Sequence, residues 1–246
     1  KLCVLVSAIL MDGNPDNVWM AVILTLGLGL LVGLIHAFLI NEFNLSPFVV
    51  TFASLFILQG ISLTITTKPI GRASRDFLML YSQKFLGVPI IVYYFIFITL
   101  LIMFLLRKTV FGKHIYAIGG NLSVAQLSGI PVKRVRYGVY GLCSVLAAST
   151  GLLWLMRMGV GDPVIGKELE LNAIIAVVIG GTSLFGGRGT VTGVLGGILL
   201  LTFTDNLLVV LGVNQFISGL IKGIIFVIAV AFYKKADRAR GGFSTP

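Results

Sequence analysis

Apolar residues arrive along this chain in long runs, each closed by a short polar break. The runs are Leu2 to Leu10, Trp19 to Ile40, Pro47 to Thr66, Val88 to Leu106, Tyr137 to Met158, Asn172 to Phe185, Val191 to Leu211 and Phe216 to Tyr233. A helix rising ~1.5 Å per residue needs ~20 residues to cross a hydrocarbon core of ~30 Å, and most of these runs have that length. The pattern predicts an all-α, polytopic transmembrane helical bundle with about seven complete or near-complete spans and a partial first one. No low-complexity tract or stretch of soluble-domain size interrupts it, so residues 1–246 read as a single transmembrane domain.

Composition fixes the solvent. With 57% hydrophobic and 11% charged residues, a chain of this length cannot cover itself with polar groups in water, and much of its surface has to face lipid. The chain starts at Lys1 and opens onto a run too short to span, and reads as N-terminally truncated, with no signal-peptide pattern. Cys3 and Cys143 lie in apolar runs, where thiols behave as small hydrophobes. The net charge of +10 does not indicate nucleic acid. No basic stretch carries the interleaved aromatics of a single-strand binder, and cations at the ends of apolar helices follow the positive-inside bias and attraction to anionic headgroups.

The same cations set a topology. Residues 107–136 hold Arg107, Lys108, Lys113, Lys133, Arg134 and Arg136 without an acid, and the tail holds Lys234, Lys235, Arg238 and Arg240 against Asp237. Both belong in the cytoplasm, which puts residues 11–18 and 67–87 outside and 41–46 inside. Lys68, Arg72, Arg75 and Lys84 make the second outer loop basic, against the rule but outvoted. For the tail to return inside, Asn172 to Phe185 must cross, alone or with its glycine-rich sequel.

Within the inner loop, Asn121 or Ser123 can cap a brief helix through Ser128, which Gly129 and Pro131 then end. The small and apolar Val124, Ala125 and Leu127 suit either docking into another protein or a connector resting on headgroups. Gly189, Gly193 and Gly197 recur every fourth residue, as do Gly29 with Gly33 and Gly219 with Gly223. That spacing lets helices pack closely in lipid. Asp205 and Lys222 lie at nearly equal sequence distances from the turn around residues 212–214, so in antiparallel helices they can pair at one depth, or serve an ion relay. Gln59, Ser62, Asn172, Thr182 and Ser183 offer hydrogen bonds either to a hydrophilic path for a neutral polyol or between helices. His36 and His114 are too isolated for a metal site, and no HExxH, CxxC, GxSxG or GxxxxGK[ST] pattern occurs. The chain reads as a non-enzyme with no cofactor or metal.

The string GKHIYAIGGNLSVAQLSGI and the later ELELNAIIAVVIGGTSLFGGRGTVTG, in this order and one span apart, resemble the ribose-type branch of the ABC permeases, a family that also includes branched-chain amino-acid permeases. The later DNLLVVLG extends the likeness over essentially the whole chain. The resemblance implies an importer permease that works with an ABC ATPase subunit below, a second permease copy or homologue beside it and a periplasmic or lipid-anchored sugar-binding protein above. It implies a multi-pass protein of the bacterial inner membrane with its C-terminus cytoplasmic.

Carried over by position, Gly120, Asn121, Ala125, Leu127, Ser128, Gly129 and Ile130 become the ATPase-coupling residues or their scaffold. Glu170, Gly180, Gly181, Thr182, Ser183, Gly186, Gly187 and Gly189 form the second motif. Its GGTSLFGGRGTV wording resembles sugar permeases more than amino-acid permeases, which favours a ribose-, xylose- or galactose-like monosaccharide. Asn172 stands where an aspartate is more usual, and Leu207 where a glycine often follows the asparagine. The competing functions are an ion-coupled secondary transporter and an amino-acid permease.

Overall fold

A computed structural model describes residues 1–166, 169–184, 186–214 and 217–224. Ten α-helices carry the described residues: α1 (Leu2–Met11), α2 (Val18–Glu42), α3 (Pro47–Ile65), α4 (Arg75–Ser82), α5 (Ile90–Lys108), α6 (Val110–Gly120), α7 (Leu122–Leu127), α8 (Val132–Met158), α9 (Leu169–Ile179) and α10 (Val191–Val210). Residues 217–224 are also helical. Five of these stretches are long and apolar enough to cross a bilayer: Pro15–Glu42, Pro47–Ile65, Ile90–Lys108, Val132–Met158 and Val191–Val210. Leu2–Met11 and Leu169–Ile179 are apolar but shorter. The expected span from Phe216 to Tyr233 falls mostly outside the described residues, as does the basic tail.

The long helices turn large apolar side chains outward. Trp19, Phe48, Phe97 and Phe203 are all exposed, and α5 buries no residue at all. In water such a surface would drive aggregation; in lipid it costs nothing. The chain is a multi-pass membrane protein.

The helices fall into two compact units, Lys1–Leu101 with Ser128–Gly166, and Ile102–Leu127 with the described residues from Leu169 onward. In the first unit α2 packs along α8 by a stripe of small residues. Ala21, Thr25, Gly29, Gly33, Ala37 and Asn41 recur every fourth position and are all buried. A Cβ on Gly29 would lie 2.6 Å from that of Ala148, and one on Gly33 would lie 2.5 Å from the Tyr140 carbonyl. Only glycine lets the two backbones approach that closely. On the same stripe the Thr25 hydroxyl is buried with no hydrogen-bond partner among the described residues.

Each end of that pair is tied by polar contacts. At one end Asn41 Nδ2 donates to the Lys133 carbonyl at 3.2 Å, Arg136 Nη1 donates to Asn41 Oδ1 at 3.3 Å, and Lys133 Nζ meets Glu42 at 2.9 Å. At the other, Gly13 N–H donates to the Arg72 carbonyl, Ala73 N–H to that of Gly159, and Ile70 and Gly161 form a bridge. Residues 41–42 and 133–136 therefore share one end of the unit, and residues 13, 70–73 and 159–161 share the opposite one.

The stretch 67–87, expected as a loop, contains α4 and part of a hairpin. Ser74 Oγ caps α4 by accepting from Phe77 N–H, and Phe77 is buried with Val4, Ala8, Met11, Ala21, Leu152 and Leu155. The strands β1 (Lys84–Phe85) and β2 (Val88–Pro89) pair antiparallel across Leu86 and Gly87, both at positive φ.

Candidate functional site

Asn121 forms the corner between α6 and α7. Its backbone N–H ends α6 on the Ala117 carbonyl at 3.1 Å, its own carbonyl accepts from Ala125 N–H at 3.0 Å, and its Oδ1 accepts from Val124 N–H at 3.1 Å. An asparagine at this point satisfies amide groups that a short helix would otherwise leave open. Gly129, at φ +76°, turns the chain after α7. The coupling candidates separate by exposure: Ala125 is buried, whereas Leu127 is 89% exposed and Val124 is also outward. Gly120 and Gly129 have open space where a Cβ would stand, Ser128 is exposed and Ile130 half-buried.

The second motif closes α9 and opens α10. Gly180 N–H continues the helix to the Ala176 carbonyl, Thr182 N–H returns to that of Val177, and Ser183 N–H donates to the Arg188 carbonyl at 2.9 Å. Thr190 Oγ1 then caps α10 by accepting from Gly193 N–H at 3.1 Å. A Cβ on Gly197 would collide with the Ala176 carbonyl, and one on Gly193 with that of Gly180. Gly189 differs from these two. It precedes α10, which begins at Val191, and lies against the Thr182 side chain.

The two motifs touch. Tyr116 OH donates to the Gly189 carbonyl at 2.8 Å. One turn further along α6, a Cβ on Gly119 would lie 2.5 Å from Gly187 N, one on Gly186 would lie 2.7 Å from the Gly119 carbonyl, and one on Gly187 would lie 2.7 Å from Gly120 Cα. Beside this glycine-on-glycine contact lies a mainly apolar cavity of about 450 Å³, whose walls include Tyr116, Gly119, Thr182, Ser183 and Gly189. Both strings stand out in the sequence, but nothing there joins them or marks Tyr116 beyond an aromatic with a hydroxyl one turn before a Gly-Gly pair.

The path candidates divide between the two units. Gln59 and Ser62 are on α3 in the first unit, where Ser62 is buried with its hydroxyl turned back to the Leu58 carbonyl at 2.8 Å. Asn172, Thr182 and Ser183 are in the second, with Asn172 half-buried in the first turns of α9. His36 Nε2 and Ser54 Oγ meet at 2.6 Å and tie α2 to α3. Asp205 on α10 faces Lys222 with Oδ1 and Nζ 2.9 Å apart, the lysine side chain 12% exposed and the aspartate 41%. Among the described residues, the Lys222 ammonium is the partner of Oδ1. Among the described residues, no three His, Cys, Asp or Glu side chains gather as a metal site would require. The clamp of Asn41, Glu42, Lys133 and Arg136 was also missed, because its halves lie far apart in the chain.

Comparison with known proteins shows the family. The profile of the family described as branched-chain amino acid transport system / permease component matches residues 2–230. The probable ABC transporter permease protein YphD of Escherichia coli K12 is 41% identical over 76% of this chain and 57% of its own length. The ribose import permease protein RbsC of Bacillus subtilis 168 is 38% identical over 81% and 63%, and the L-arabinose ABC transporter permease protein AraH of Azospirillum brasilense is 35% identical over 84% and 62%. The chain thus spans about three fifths of the length of these relatives. No solved structure matches.

Proposed function

The chain belongs to the family of branched-chain amino acid transport system permease components, and on that footing we propose that it is the membrane-spanning permease subunit of an ABC importer for a monosaccharide. The carrying observation is that proteins named as ribose and L-arabinose permeases match more than four fifths of it. The family description mentions amino acids. The sugar reading is preferred because these two relatives, aligned over most of the chain, are named for sugars.

In this reading residues 107–136 face the cytoplasm and the exposed apolar side chains of α7, Val124 and Leu127, meet an ABC ATPase, with Asn121 and Ala125 holding the helix in shape. The C-terminus is cytoplasmic and the membrane is the bacterial inner membrane. A second permease copy or homologue completes the path, and a periplasmic or lipid-anchored sugar-binding protein delivers the substrate. Gln59, Ser62, Asn172, Thr182 and Ser183 remain the candidates to line the path, since a neutral polyol needs hydrogen bonds and no countercharge. The subunit itself performs no chemistry. The ATPase must bind the inward and outward conformations with different affinity, because only a difference of that kind lets nucleotide bias the gate.

The test is reconstitution of the full-length permease in liposomes with its ATPase and binding protein. Uptake of radiolabelled pentose or hexose is expected to require ATP and all components. Uptake that persists without the ATPase supports the ion-coupled alternative suggested by Asp205 and Lys222, and ATP-driven uptake of leucine in place of sugar supports the amino-acid one.

A further inference from the structure

We propose that Tyr116, with the glycine contact behind it, is the mechanical link that carries motion from α7 to the α9–α10 hairpin, and that Tyr116 acts as a positioning residue for transport. The inference rests on the proposed importer function and adds to it the route that force takes inside this subunit.

Three observations make the route continuous. Asn121 bonds α7 to the end of α6, through its side chain at the start of one helix and its backbone at the end of the other. The α6 backbone then presses on the loop between α9 and α10 with nothing but glycine between them, Gly119 against Gly186 and Gly187. Gly186 and Gly187 hold φ of +96° and +75°, which side-chain-bearing residues rarely adopt. Finally, Ala176 on α9 and Gly180 just past its end meet Gly197 and Gly193 on α10 at the same close range, so the hairpin answers as one body.

A contact of this kind transmits a push, since two backbones in contact have no side-chain rotamers to absorb it. It does not by itself transmit a pull. The hydrogen bond from Tyr116 OH to the Gly189 carbonyl, at 2.8 Å, is what resists separation. One face of α6 therefore carries both halves of a reversible linkage, the glycine for the inward stroke and the tyrosine for the return. Tyr116→Phe removes only the hydroxyl and should impair the return stroke while leaving the packing unchanged.

The experiment uses the full-length permease assembled with its ATPase and binding protein in liposomes, and measures sugar moved per ATP hydrolysed. A merely structural residue lowers the amount of working transporter and scales both activities together, leaving the ratio fixed. Losing one hydrogen bond of typical strength predicts a fall in the ratio of roughly five-fold for Tyr116→Phe, with ATP hydrolysis per assembled complex retained. Gly119→Ala, which forces the backbones apart, is expected to lower the same ratio. An unchanged ratio in Tyr116→Phe, whether or not transport and hydrolysis fall together, overturns the link while the importer function stands. Wild-type protein whose uptake ignores ATP overturns the function itself.

Discussion

A single methyl group decides how near α2 and α8 can come. On Gly33 it would meet the Tyr140 carbonyl and, at 2.8 Å, the Ser144 hydroxyl, so Gly33→Val should push the helices apart and cost about 1–3 kcal/mol. Gly27 on the same helix has nothing within 4 Å of its would-be Cβ, and Gly27→Ala is expected to be neutral. Thermal unfolding of both variants of the full-length protein in one detergent checks the contrast; equal midpoints would contradict the seam. The sequence made Gly29 and Gly33 legible as a packing pair, because glycine at a four-residue interval is unusual. Ala21, Thr25 and Ala37 extend the same stripe, yet such small residues are common in any membrane helix and stand out only against a known partner, and Asn41 is explained only by the Lys133 and Arg136 groups it bonds. Asn121 was readable because its cap is local, whereas Tyr116 bonds a carbonyl 73 residues away.

At the level of elements, boundaries followed hydrophobicity where lipid dictates it and departed where water does. The five long helices lie close to the apolar runs, but α4 hides in a polar stretch because a Ser74 cap and one buried Phe77 suffice to fix eight residues. Gly189 matched the glycine interval without lying on the helix, since Thr190 takes the cap position. Asp205 joins α10 to the helical residues 217–224 through Lys222. The lysine is the more deeply buried partner, so Asp205→Asn, which strands a buried cation, should destabilise more than Lys222→Met. The double variant is expected to recover much of the loss. If the pair only fixes helix register, ATP-driven uptake returns with stability in the double variant; if it relays ions, uptake stays lost despite a restored melting temperature.

Across the whole molecule, the ends of the first unit give orientation a direct check. Residues 13, 70–73 and 159–161 meet at one end and residues 41–42 and 133–136 at the other. With Cys3 and Cys143 replaced by alanine, a full-length permease carrying Leu86→Cys is expected to react with a membrane-impermeant thiol reagent in intact cells. One carrying Leu127→Cys should react only after the cells are opened. The reverse pattern would place α7 outside and remove it from any ATPase. This arrangement also has a consequence for biogenesis. The chain separation between Asn41 and Lys133 is 92 residues, and α2 is partnered mainly by α8 and not by the helix that follows it. At ~5–20 residues per second of synthesis, α2 waits on the order of ten seconds in the bilayer with its groove empty. A ribosome stalled between the two would leave that groove open to membrane quality-control proteases.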